Sequence, residues 1–331
     1  MDPSASPLRC GVLGCADFAR RRMLPVLAAE PGIRLMRVAS RDAAKAARFA
    51  EEFGCEPVLG YDALLAAPDI DAVYLPLPPM LHAEWTEKAL RAGKHVLAEK
   101  PLTADPGSTE RLLRLAAERG LVLLENVPFP HHAQHAAVRA LLDDGVIGEV
   151  RGMASAFTIP PRPDGDIRYQ PEVGGGALLD LGVYPIRAAL HFLGADVEII
   201  AAVLRSRART GAVDSGRILA VAPGGVTADL EFGMDHSYRT SCEFAGSIGR
   251  LRLDRVFTPP PDHLPVGRVE RQDHREEIVL PADDQYGGLV RHFVHAARTG
   301  TGTGTEARAD ASMRQARLVR QVEDKAVRVT V

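Results

Sequence analysis

From Leu8 to about Glu125, short apolar runs alternate with stretches whose apolar positions recur at helical spacing. The runs Cys10 to Leu13, Leu35 to Ala39, Ala72 to Leu75, His95 to Ala98 and Val122 to Leu124 predict strands. Helices are predicted between them, among them Ala43 to Phe53 and Ala83 to Ala92, the second ended by Gly93 in a C′ position. Strand and helix in repeated alternation is the signature of a parallel, doubly wound α/β sheet.

After Asn126 the pattern changes. A helix over about Ala133 to Asp143 precedes a strand over Val150 to Ile159, and the Gly174-Gly175-Gly176 turn opens a helix that runs to about Phe192. Strand-like runs follow at Val197 to Leu204, Ile218 to Val221, Thr227 to Phe232, Ser241 to Phe244, Leu251 to Leu253 and Glu277 to Leu280. Helices near Leu289 to Ala297 and Ala307 to Lys325 close the chain. This second region predicts an α/β domain with a large, mainly antiparallel open sheet. Such a sheet needs helices on only one face, which leaves the other as a natural surface for a dimer or tetramer.

A chain of 331 residues exceeds one ordinary core, and the change of pattern divides it into domains at 1–126 and 127–331. A formal charge of −3 gives no footprint for nucleic acid or an anionic membrane surface. The segment Met1 to Pro7 has neither a basic n-region nor an apolar h-region, and no apolar run reaches membrane-spanning length, so a cytoplasmic protein is expected. Cys10, Cys15, Cys55 and Cys242 match no CxxC or zinc spacing and are expected to be reduced and mostly buried. Thr299 to Thr305 reads as a loop.

The segment Gly11 to Ala19 lies between the first strand and a helix beginning near Arg20. Such a turn points backbone N–H groups and a helix N-terminus at a pyrophosphate. Against the GxGxxG/A pattern it supplies Gly14, Ala16 and Ala19, so the middle glycine is absent. The second strand ends in Ser40-Arg41 where an NAD site has an acid, and a guanidinium suits a 2′-phosphate. NADP(H) is therefore the expected cofactor. Asp42 is expected to cap the next helix.

Ligands of open α/β sheets bind at the carboxyl ends of the strands. Leu75 to His82, Glu99-Lys100-Pro101 and Glu125-Asn126 all fall there. The chain has only five lysines (Lys45, Lys88, Lys94, Lys100 and Lys325), which singles out Lys100, and Pro101 restricts the Lys100 backbone to an extended form. On the helix after Gly176, Asp180 and Tyr184 are four apart and share a face. Reduction of a ketone needs a proton for the oxygen that gains charge, and a tyrosine beside a cation can give it. A half-buried aromatic with a polar handle is the plainer reading of Tyr184. His131, His132 and His135 lack the accompanying ligands of a metal site and are expected to line the cleft or touch substrate.

Gly11 to Ala19, Pro78 to His82, Glu99-Lys100-Pro101 and Gly174 to Ala177 followed by Asp180 resemble the Gfo/Idh/MocA oxidoreductases over essentially the whole chain. In that family a histidine commonly follows the helix aspartate by four residues, and here the position holds Tyr184. This departure, with Glu125-Asn126, His131-His132, Gly165 to Tyr169 and Arg271 to Glu277, is similar to the branch of NADPH-dependent nucleotide-sugar 3-ketoreductases. The resemblance implies reduction of a dTDP-linked 3-keto (3,4-diketo) 2,6-dideoxyhexose for microbial deoxysugars, with Lys100 and Tyr184 catalytic. It implies a cofactor held by Gly14, Cys15, Ala16, Asp17, Phe18, Ser40, Arg41, Lys45, Leu77, His82, Glu99, Lys100, Asn126 and Arg168. Lys100, Phe129, Asp180 and Tyr184 would meet the sugar, and the protein would be a dimer or tetramer. A dehydrogenase of a free sugar, polyol or dihydrodiol, and a sugar-sensing regulator, are the alternatives.

Overall fold

The structure is a computed structural model that describes residues 6–300 and 305–331. The chain forms two compact units, Met1–Val127 with Tyr286–Ser312, and Pro128–Gln285 with Met313–Val331. The stretch 301–304, within the expected loop, lies outside the described residues, as does 1–5 of the N-terminal segment.

In the first unit six strands lie parallel in the order β3-β2-β1-β4-β5-β6: β1 (Leu8–Leu13), β2 (Ile33–Ser40), β3 (Glu56–Leu59), β4 (Ala72–Leu75), β5 (His95–Glu99) and β6 (Leu123–Asn126). This is the doubly wound dinucleotide-binding order, with its reversal between β1 and β4. Side chains alternate across the sheet: Cys10 and Val12 enter one core with Leu24, Leu27 and Val38, whereas Leu13 enters the other with Leu64, Val73 and Val96. The helices are α1 (Leu24–Ala29), α2 (Ala43–Phe53), α3 (Tyr61–Leu65), α4 (His82–Arg91) and α5 (Pro106–Glu118). Asp42 caps α2 as expected, its carboxylate accepting the Lys45 N–H at 3.0 Å.

The sequence division at 126 leaves out one element of this unit. Most of α9 (Gln285–Thr299) packs here, because Leu289, Val290, Phe293 and Val294 are at most 1% exposed among the first core's residues. Burying each such side chain is worth about 1.5–3 kcal/mol, which brings a C-terminal helix back to the first sheet.

The second unit carries nine strands in the order β14-β13-β12-β11-β7-β10-β9-β8-β15. They are β7 (Val150–Ile159), β8 (Glu198–Ser206), β9 (Val213–Val221), β10 (Thr227–Met234), β11 (Arg239–Gly246), β12 (Gly249–Asp254), β13 (Val266–Arg271), β14 (His274–Val279) and β15 (Ala326–Thr330). Only β7 with β10 and β8 with β15 pair parallel; the other pairings are antiparallel. Helices α6 (Ala133–Asp143), α7 (Pro171–Gly174) and α8 (Val183–Leu193) belong to this unit, as does the end of α10 (Thr305–Lys325).

Two helices carry π turns, over Ala19–Met23 and Leu178–Gly182. Each is followed closely by a proline, Pro25 or Pro185, which has no N–H to give to the carbonyl four residues back, at Arg21 or Leu181. The backbone re-pairs in a wider turn, a device often found at functional sites.

Candidate active site

In the first unit, the candidate residues lie along the carboxyl edge of the parallel sheet. Gly14 follows β1 with φ +120°, its N–H bonded to the Ala39 carbonyl at 3.0 Å. A Cβ there would stand 2.8 Å from Leu77 Cδ2, so only glycine fits both the dihedral and the space. The Asp17 carboxylate is held by Arg21 at 2.7 Å, and the Phe18 ring packs edge-on against Tyr286.

Beyond β2, the Ser40 hydroxyl accepts the Asp42 N–H at 3.1 Å, and Arg41 is exposed, its charge opposing the rise that burial gives the Tyr61 phenol. Burial raises the Cys15 thiol above its ordinary pKa while Lys45 and Arg48 act in the opposite sense, which places two more cations near the turn. Arg48 escaped the sequence reading; its spacing of three from Lys45 on α2 was the available signal.

Across the sheet from Arg41, beyond β1 and β4, the Glu99-Lys100-Pro101 segment ends β5. Burial pushes the Glu99 carboxyl above its ordinary value although Tyr74 Oη donates to it at 2.7 Å and Asn126 Nδ2 at 2.5 Å. Asn126 is 1% exposed and its Oδ1 has no hydrogen-bond partner among the described residues. Lys100 is half-buried, and its peptide bond to Pro101 is cis. His82, expected to touch the cofactor, is instead fully buried with both ring nitrogens against main-chain carbonyls: Nδ1 is 2.6 Å from the Pro101 oxygen and Nε2 is 2.7 Å from that of Leu77. Burial lowers its pKa against the pull of those two carbonyls.

In the second unit, Asp180 lies in the π turn and Tyr184 in the first turn of α8. Arg168 Nε donates to Asp180 Oδ2 at 2.6 Å and Arg168 Nη1 to Asp166 Oδ1 at 3.1 Å. The Asp180 charge foremost raises the pKa of the guanidinium further. Gly174 makes this pairing possible, since a Cβ on it would lie 2.2 Å from the Ile167 carbonyl oxygen. The Tyr184 ring stands edge-on to Phe157 at 4.9 Å and tilted to Phe257 at 5.4 Å. Phe129, expected to meet the sugar, is 0% exposed and packs within this cluster, 5.2 Å from Phe257 and 6.5 Å from Tyr184. It supports the tyrosine rather than touching a ligand.

The expected histidine contacts are also revised for two rings. His132 Nδ1 accepts the Gln134 N–H at the start of α6, and His135 is buried against Phe129 with its pKa pushed down to about 3 by burial. Among the described residues no group of three or more His, Cys, Asp or Glu side chains is placed to hold a metal ion.

A doubly wound sheet with a glycine turn after β1, cations after β2 and a buried acid beside a lysine after β5 defines a nicotinamide-dinucleotide oxidoreductase. Residues 8–127 match the oxidoreductase family with an NAD-binding Rossmann fold, and residues 135–252 match the Gfo/Idh/MocA C-terminal domain. The chain belongs to the Gfo/Idh/MocA family. It is 56% identical over 316 residues (96% of this chain, 95% of the relative) to a dTDP-3,4-didehydro-2,6-dideoxy-alpha-D-glucose 3-reductase of Actinomadura kijaniata. The reductase of that activity from Streptomyces antibioticus is also 56% identical, over 95% of this chain and 96% of its own. A 3-ketoreductase from Actinomadura kijaniata, solved in complex with NADP and TDP-benzene, superposes with a TM-score of 0.97 at 55% identity, covering 98% of this chain and 100% of the other.

Proposed function

We propose that this chain reduces the C-3 carbonyl of a dTDP-linked 3,4-diketo-2,6-dideoxyhexose with NADPH, in the formation of unusual deoxysugars such as those of antibiotics. The observation that carries the reading is 56% identity, along nearly the whole chain, to reductases of that activity. The residues at the sheet edge fit NADP(H). Gly14 leaves room for a pyrophosphate, Arg41 and Lys45 offer charge for a 2′-phosphate, and Asn126 Oδ1 is a buried acceptor for a carboxamide N–H. When bound, the cofactor supplies hydride to the sugar's C-3.

The chain supplies the rest. Tyr184 gives its hydroxyl proton to the C-3 oxygen, and the Lys100 ammonium stabilises the negative charge that develops there. Asp180, fixed by Arg168, accepts a hydrogen bond from a sugar hydroxyl. Following NADPH absorbance with dTDP-3-ketosugars, free sugars and dihydrodiols tests the assignment: turnover is expected with the dTDP-ketosugar, and turnover confined to free sugars or diols, or none at all, would overturn it.

Cofactor choice gives a sharper check. Charge-assisted hydrogen bonds contribute roughly 1.5–3 kcal/mol. Arg41→Ala is therefore expected to weaken NADPH binding about 10- to 100-fold and to leave NADH binding nearly unchanged. Titration of both cofactors into both proteins measures this, and a wild-type preference for NADH would contradict it.

The reading includes a cytoplasmic dimer or tetramer joined through the open face of the nine-stranded sheet. No helix among the described residues is long and apolar enough to cross a membrane. On the exposed sheet face, Val203 pairs with Arg217, Arg217 with Glu231, and Glu231 with Ala156, while Arg239 also reaches Glu231. Val327 and Val203 extend this row as exposed apolar residues. Alternating charges beside an apolar edge can meet a second copy of themselves about a two-fold axis. Light scattering is expected to give at least a dimer in the wild type and a smaller species in Glu231→Arg; a wild-type monomer at micromolar concentration would contradict it.

A further inference from the structure

His82 begins α4 and is 0% exposed. Its imidazole spans two loops. Nδ1 meets the carbonyl oxygen of Pro101, next to Lys100, at 2.6 Å, and Nε2 meets that of Leu77, after β4, at 2.7 Å. These loops leave adjacent parallel strands, since Leu75 of β4 pairs with Ala98 of β5. Leu77 in turn packs on the cofactor turn, its Cδ2 2.8 Å from where a Gly14 Cβ would be. One ring thus joins the main chain that carries the lysine to the segment that packs under the glycine turn.

The remaining anchors of the lysine segment act on other groups. Tyr74 and Asn126 hold the Glu99 side chain, and Glu125 Oε1 accepts the Leu102 N–H at 3.0 Å. On the carbonyl of Pro101 the imidazole is the polar side chain in place. A neutral imidazole has one N–H to give; carried on Nδ1 it donates to Pro101, and an apolar ring of equal size would fill the space and leave that buried carbonyl without a side-chain donor.

We propose that His82 is a positioning residue for Lys100, its Nδ1–H fixing the Pro101 carbonyl and with it the lysine's backbone. The proposal rests on the reading that Lys100 acts in catalysis, and its test separates the two. In His82→Asn the amide nitrogen falls near the place of Nδ1 and can still donate to Pro101; in His82→Gln it falls near that of Nε2 and serves Leu77 instead. A misplacement of about 1 Å can lower a rate about 10²-fold. The Gln variant is therefore expected to lose about 10- to 100-fold in kcat and the Asn variant about threefold or less. NADPH affinity and melting temperature should match between the two.

In a Lys100→Met background the same His82→Gln change is expected to have almost no further effect on kcat, because the group being positioned is gone. Equal losses in the Asn and Gln variants, or a Gln loss that persists in full without the lysine, would return His82 to a purely structural role. If the Gln variant does not fold, His82→Ala, which also lacks a donor to Pro101, takes its place in the same double-variant comparison. Full turnover in Lys100→Met alone would instead overturn the lysine's own assignment, and the positioning role with it.

Discussion

Tyr184→Phe is expected to lower kcat by about 10²- to 10⁴-fold, the usual contribution of a positioned general acid. The ring is held by Phe157 and Phe257, and phenylalanine keeps both contacts. Melting temperature should therefore change little, since a single lost hydroxyl hydrogen bond alters stability by about 1 kcal/mol. Water can still deliver a proton slowly, so residual turnover is expected. The wild-type pH profile should fall at high pH as the phenol ionises, and the variant should lack that limb. Steady-state NADPH consumption across pH measures both effects. Wild-type turnover with an unchanged profile would reduce Tyr184 to a packed aromatic and move the proton donor elsewhere.

Lys100→Met should give the second large effect. Removing one group that stabilises developing negative charge lowers kcat by about 10²- to 10³-fold. Methionine keeps the length of the side chain, and the segment's other anchors at Glu99, Pro101 and Leu102 do not involve the ammonium. Folding and NADPH affinity are accordingly expected to survive. Thermal melting, cofactor titration and kcat on the same preparation check this, and unchanged turnover in a folded variant would make Lys100 structural.

The buried strands of the first sheet were legible because each is an apolar run between punctuated helices. The edges were not. β3 is mostly exposed and contains Pro57, and β15 exposes nearly every residue, so neither carries a burial pattern. The π turns were also hidden: Asp180 and Tyr184 read as one continuous helix until the effect of Pro185 on the turn before it is seen. The return of α9 to the first unit depends on which core its apolar face fills, a fact of tertiary packing rather than of local pattern.

The site was legible as segments more than as side chains. Motifs singled out loops at the carboxyl ends of the strands, but adjacency along the chain does not say which way a ring points, and His82 and Phe129 turn inward. The scarcity of lysine was a weaker signal than it looked. Lys94 is buried with its ammonium on the Ala67 and Ile70 carbonyls, and Lys88 pairs with Glu84 and Asp62, so rare lysines here serve structure as well. What distinguishes Lys100 is its place after β5, beside a buried acid and at the edge where ligands of such sheets bind.

The most direct test follows the transferred hydrogen. The protein is incubated with NADPH deuterated at the hydride position and dTDP-3,4-diketo-2,6-dideoxyglucose, and the product sugar is examined by mass spectrometry and NMR. One deuterium at C-3, with the C-4 carbonyl intact, is the predicted result. Deuterium at C-4, or no oxidation of NADPH in the presence of this sugar, would contradict the assignment of a 3-ketoreductase.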